Sequence, residues 1–229
     1  MTLRRVAFWA ACLAVPLGLV SDALYVAAEG FRPDPAAMVR LDVLAADPAL
    51  LRWAAFTDFA SFYVPLVPVA LYLRGRFASR DPLVDLYAVA AIAFAVVGGA
   101  AALALGAVGP ALAAANATAG PAAAPAYAVA ARALEDTVFV AIWQTCGASA
   151  LGIFFVGISR LIRPEHRSLG TLTLVIGGDA FLVAAARVTG LEPVAIVTVV
   201  VWLPLMTIWF GWLALAALRE GRPELARAA

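Results

Sequence analysis

Six apolar runs of about 20 residues or more, each closed by arginine, proline or a short polar turn, dominate this 229-residue sequence. A helix rises 1.5 Å per residue, so a run of that length crosses the roughly 30 Å hydrocarbon layer of a bilayer. Charged residues make up 14% and hydrophobic ones 65%, whereas an average soluble domain carries about 25% charge. A water-soluble globule is excluded. The sequence reads as an all-α, polytopic membrane protein with six transmembrane helices in one domain. The expected spans are about 6–28, 48–73, 82–108, 133–158, 168–186 and 193–218, with the uncharged Ala/Pro/Gly stretch 109–131 as a linker.

Local signals sharpen these bounds. The first run, behind Arg4 and Arg5, outlasts the apolar core of a signal peptide and meets no A-x-A site, so it reads as a retained span. Between Glu29 and Asp47, Met38, Leu41 and Leu44 fall on one face of a short amphipathic helix suited to the membrane interface. Asp47-Pro48 and Asp81-Pro82 each pair an N-capping carboxylate with proline at the first helical position. Gly98, Ala102 and Gly106, and likewise Ala148 and Gly152, are small residues at four-residue steps, as packing seams or a homo-oligomer face require. Trp202, Trp209 and Trp212 enrich the last span, the latter two towards its final third, where an interfacial aromatic belt is expected.

All 16 basic residues are arginine. With the N-terminus inside, eleven of them fall on inner segments and five (Arg32, Arg40, Arg52, Arg132 and Arg187) on outer ones. The positive-inside rule then places both termini in the cytoplasm, and the expected location is a bacterial cytoplasmic membrane. The absence of lysine removes Schiff-base chemistry. One histidine, His166, in a loop, and two isolated cysteines, Cys12 and Cys146, provide neither haem ligands, a zinc site nor a dithiol pair. No metal and no cofactor are expected. A net charge of +1 without a basic cluster gives no footprint for nucleic acid.

Five acids stand within or at the edge of apolar spans: Asp22, Asp58, Glu135, Asp136 and Asp179. A carboxylate at bilayer depth costs a few kcal/mol, so each invites a functional hypothesis. By helical rise Asp58 lies roughly 9 Å below the outer end of its helix, and Asp179 near the midplane, roughly 15 Å from the inner end. All five fall in the outer half or the centre, bordered by Arg132 and Arg187. If their helices converge, they build an outward-facing acidic pocket, lined by Tyr25, Tyr63, Trp143 and Gln144 and floored by apolar residues. Each acid also has a structural reading. Glu135 and Asp136 suit the first turn of a helix, Asp22 a solvated helix end, and Asp58 and Asp179 interhelical hydrogen bonds or ion pairs. Gln144 suits a helix–helix contact as well as a ligand.

The layout resembles the bacterial family known as domain of unknown function 4386. The likeness is carried by the amphipathic stretch leading into Leu50-Leu51-Arg52-Trp53 and Asp58, by Phe154-Phe155-Val156-Gly157-Ile158, and by the arginine- and proline-containing turn into Ser168-Leu169-Gly170. It implies a six-helix membrane protein and transfers no mechanism or site residue. Other membrane families fit less well. Gly147-Ala148-Ser149-Ala150 lacks the last glycine of the rhomboid serine motif, and the aspartate-rich motifs of UbiA-type prenyltransferases are absent.

Three functions are consistent with this pattern. The first is binding, or acid–base processing, of a lipid or isoprenoid-like hydrophobic small molecule. Asp58, Asp179 and Asp136 would be the acid–base groups and Asp22, Glu135, Trp143, Gln144 and Arg187 the binding residues. The second is a small transporter or channel, which needs polar lining through both leaflets. The third is an assembly or regulatory partner of another membrane protein, docking through its small-residue faces.

Overall fold

The computed structural model describes residues 2–28, 41 and 47–226, with side chains as far as 218. Six helices are long and apolar enough to cross a membrane: α1 Leu3–Ala28, α2 Pro48–Phe77, α3 Val84–Thr118, α4 Ala124–Ile162, α5 Arg167–Val188 and α6, which runs Glu192–Ala226. No strand occurs among the described residues. The amphipathic segment expected between Glu29 and Asp47 lies, apart from Leu41, outside the described residues.

The punctuation works through hydrogen bonds that can be named. The Asp47 carboxylate accepts from the Ala49 N–H at 3.1 Å, capping α2 with Pro48 at its first position. Asp81 accepts from the Leu83 N–H at 2.8 Å, so Asp81-Pro82 forms a turn and α3 starts just beyond it. At the end of α5, Gly190 adopts φ +73, and the Leu191 N–H closes back onto the Ala186 carbonyl at 2.8 Å. That left-handed position suits glycine because a Cβ would clash there.

The expected linker 109–131 is largely helical, which corrects the sequence reading. α3 continues through Pro110 to Thr118 and α4 already begins at Ala124, leaving only 119–123 between them. Alanine is the best helix former, and this stretch is alanine-rich, so composition that reads as low complexity extends both helices instead.

The helices pack in chain order into a closed ring, each against its two sequence neighbours, with α6 returning to α1. Aromatic rings fill the middle. The Phe94 ring on α3 meets Tyr63 of α2 at 5.1 Å and Trp202 of α6 at 6.4 Å, while Trp209 packs edge-on against Phe154 and Phe155 of α4. The small-residue seams seat side chains of the neighbouring helix. A Cβ on Gly98 would lie 2.5 Å from the Tyr63 ring, one on Gly106 2.7 Å from the Ala55 Cβ, and one on Gly152 2.8 Å from the Phe181 ring.

Trp209 departs from the expected aromatic belt. It is fully buried, and its Nε1–H donates to the Thr173 hydroxyl at 2.9 Å. A buried indole needs an acceptor, and α5 supplies one at that level.

Candidate functional site

Two apolar clusters divide the bundle. The larger holds Phe62, which packs against Gly18, and Tyr63 together with the aromatic centre. The smaller, towards the end opposite the arginine-rich loops, holds Leu51, Leu105, Val138 and Phe139, with Tyr25 packed against it. Between them, α1 and α2 contribute a polar layer: Ser21 and Asp22 from α1, Thr57, Asp58 and Ser61 from α2. Ser21 Oγ donates across to the Ala54 carbonyl at 3.3 Å, tying the helices together. Thr57 and Ser61 turn their hydroxyls back onto their own helix, to Trp53 and Asp58 carbonyls at 2.7 and 3.1 Å. With those hydroxyls engaged, the carboxyl groups are the reactive members.

Asp58 is buried, with 7% of its surface exposed, and its side chain is hydrogen-bonded to Tyr63. These residues are five apart, which in an ordinary α-helix places them on different faces. Here residues Phe59–Tyr63 form a π-turn, whose extra residue brings position i+5 over position i. Tyr63 fits because α3 presents Gly98 to its ring, and Trp143 Nε1 in turn donates to the Gly98 carbonyl at 3.0 Å. Asp22, half-buried on α1, lies close enough to interact electrostatically with Asp58. Among the described residues neither aspartate has an ion pair with an arginine.

The remaining acids are placed elsewhere. Asp136 is exposed and pairs with Arg132 at 3.2 Å one turn earlier, while Glu135, buried, lies 4.0 Å from the same guanidinium. Arg187 is held by the Gln144 side-chain carbonyl and by Glu192, so it closes the α4–α5–α6 end rather than serving an intramembrane acid. Asp179 is on α5, across the ring from α2. Of the expected site residues, the structure thus brings together Asp22 and Asp58, and separately Gln144 and Arg187. Trp143 connects to the first group through the Gly98 carbonyl.

No family model, curated protein or solved structure matches this chain. What the site can do follows from its own side chains. Two carboxyl groups near one another, with no cation paired to them among the described residues, can share and pass a proton, with the Tyr63 hydroxyl fixing one of them. Asp179 is a different case. Among the described residues its Oδ2 is buried without a hydrogen-bond partner, as is Nε1 of Trp202. Trp202 stands two turns before Trp209 on one stripe of α6, and Asp179 nearly two turns after Thr173 on α5. The Trp209–Thr173 bond therefore sets both unpartnered groups at one level.

The sequence places Tyr63 at the pocket, but its bond to Asp58, and the places of Ser21 and Thr57 in this layer, escape a reading by 3.6-residue periodicity. The π-turn rotates Tyr63 onto the Asp58 face, and no residue type in Phe59-Ala60-Ser61-Phe62-Tyr63 announces it.

Proposed function

We propose that this chain is a multi-pass protein of a bacterial cytoplasmic membrane, with both termini inside. In the outer half of its bundle it binds, or processes by proton transfer, a lipid or isoprenoid-like hydrophobic molecule. Asp58 is the group that holds and delivers the proton, Asp22 its neighbour, and Tyr63 the residue that orients it. The carrying observation is Asp58 itself: buried between two apolar clusters, hydrogen-bonded to Tyr63, beside a second carboxyl group and, among the described residues, without an arginine partner. A purely structural acid in such a setting is usually neutralised by a basic partner.

The surroundings suit an apolar ligand. α1 is the least covered of the six helices, and within a turn or so of Asp58 the helix α2 exposes Trp53 and Phe56. A molecule dissolved in the bilayer reaches the polar layer from the side, along such a surface. A conducting path is less well supported, because Phe77, Phe154, Phe155, Trp209 and Phe210 close the opposite half of the bundle with fully buried apolar volume.

The test is retention of native hydrophobic molecules on protein purified in mild detergent, read by mass spectrometry of the organic extract. The reading expects a species on the wild type that falls at least about tenfold in Asp58→Asn and Asp22→Asn, a loss of roughly 1.4 kcal/mol of binding. It also expects Asp179→Asn to retain that species. Equal retention by Asp58→Asn and the wild type would overturn it.

A further inference from the structure

At the opposite end of the bundle the arginines divide into two sets. Arg74 is paired with Asp85 at 2.6 Å, and Arg76 and Arg80 both hold Glu165. Arg160, Arg163 and Arg167 have no ion pair among the described residues, and they line one groove together with Val156, Ser159 and Leu174. Glu165 is the one acid in the α4–α5 turn, and its commitment to Arg76 and Arg80 leaves these three without a counter-charge among the described residues. Arg160 is also within electrostatic reach of Tyr87, whose hydroxyl is engaged by Asp81 at 3.2 Å.

Close helix packing assembles the groove. A Cβ on Gly170 would lie 2.5 Å from the Arg163 Cα, and one on Gly177 2.7 Å from the Val156 backbone nitrogen, so α4 and α5 touch along two glycines seven residues apart. That contact draws Arg163 at the end of α4 and Arg167 at the start of α5 to one mouth, with Arg160 a turn below. The walls then change character along their length. Guanidinium groups stand at the mouth, and Val156 and Leu174 continue in the direction of the apolar spans.

We propose that this groove binds a phosphate-bearing anion, with the arginines on the phosphate and, where the anion is a membrane lipid, an acyl chain along Val156 and Leu174. Guanidinium matches phosphate oxygens in bidentate geometry, and basic pockets between transmembrane helices on the cytoplasmic side suit anionic headgroups. The proposal does not depend on the chemistry assigned to Asp58. It rests on the same orientation, with the arginine-rich end facing the cytoplasm.

The experiment compares purified wild type with Arg160→Gln/Arg163→Gln/Arg167→Gln in nanodiscs of phosphatidylcholine with and without phosphatidylglycerol, counting bound lipids by native mass spectrometry. Wild type is expected to retain phosphatidylglycerol over phosphatidylcholine, and the preference to fall about fivefold for each arginine removed. Lysine at all three positions keeps the charge and loses the fork, so it should retain only part of the preference. Arg52→Gln, exposed at the far end, should leave it unchanged. In a second arm, inorganic phosphate is added to the detergent-solubilised protein. Stabilisation by phosphate that is lost in the triple variant supports the same site with a soluble source, whereas lipid preference without phosphate stabilisation supports a headgroup. A wild type with no preference and no phosphate response, or a triple variant that keeps either one undiminished, overturns the proposal. All three side chains are exposed, so the variants are expected to fold.

Discussion

Tyr63 holds Asp58 across five residues of the same helix, a contact that exists because α2 passes through a π-turn between them. Each end of the contact is braced from outside the helix. Gly98 on α3 makes room for the Tyr63 ring, and Asp58 shares its layer with Ser21 and Asp22 of α1. A local irregularity of α2 thereby turns an acid and a phenol into a unit that three helices position.

The two ends of this contact should respond differently to substitution. Tyr63→Phe leaves the buried Asp58 without its donor, and an unsatisfied buried polar group costs roughly 1–3 kcal/mol. Asp58→Asn keeps an acceptor for Tyr63 and removes the acid beside Asp22, so it is expected to be at least as stable as the wild type. The check is the unfolding midpoint of each variant in the same detergent. An Asp58→Asn protein less stable than Tyr63→Phe would make Asp58 structural rather than functional.

Glycine substitutions separate tight seams from open surface. A Cβ on Gly157 would lie 2.5 Å from the ring carbons of Tyr87, which is buried and held by Asp81. Gly157→Ala and Gly98→Ala are each expected to destabilise by about 1–3 kcal/mol through overpacking. Gly178, mid-helix, where an added Cβ would meet nothing within 4 Å beyond its own helix, should instead gain roughly 0.5–1 kcal/mol as alanine. Thermal unfolding of the three variants tests the contrast.

The spans were legible because crossing a bilayer demands about 20 unbroken apolar residues, and few other folds do. The start of α2 was legible at Asp47, whose carboxylate caps it, whereas at Asp81 the carboxylate holds a turn and α3 starts beyond Leu83 without a side-chain cap. The extent of α3 and α4 was not legible, because alanine-rich sequence reads alike as linker and as helix. The five acids were legible as a list and not as an arrangement. Asp136 finds Arg132 locally at i−4, Arg187 finds Gln144 only through the α4–α5 crossing, and Asp58 finds Tyr63 only through a turn that breaks the 3.6-residue period. Periodicity groups Asp58 with Ser61 and Pro65, so Tyr63 was legible as a lining residue of the pocket and not as the partner of Asp58.

The Trp209–Thr173 bond offers a measure of what one interhelical hydrogen bond contributes in this bundle. Trp209→Phe removes the donor while keeping most of the ring packing against Phe154 and Phe155. Thr173→Val removes the acceptor, whose hydroxyl also donates to the Leu169 carbonyl at 2.6 Å. A double-mutant cycle should give a coupling of about 0.6–1.7 kcal/mol, the range found for such bonds between membrane helices. A coupling near zero would mean that burial of the ring, and not the bond, fixes Trp209.

Glu165 gives a pH dependence whose sign is set by its partners. Burial works to raise the carboxyl, but hydrogen bonds from Arg80 and Arg76 outweigh it and hold it below the ordinary glutamate range. A group with a depressed native pKa contributes stability that is fully present above its unfolded value, about 4.3, and is lost as pH falls through the lower native value. The wild type should therefore lose part of its unfolding midpoint between about pH 4.3 and the acid end of the titration. Glu165→Gln should start lower at neutral pH and show a shallower slope across that window. The two guanidiniums it frees would then stand near Arg160, Arg163 and Arg167 without their counter-charge, so the deficit of Glu165→Gln at neutral pH should shrink as salt is added. A deficit indifferent to both pH and salt would show that the loop is held by its backbone bonds from Glu165 and His166 to the Ile162 carbonyl rather than by the ion pairs.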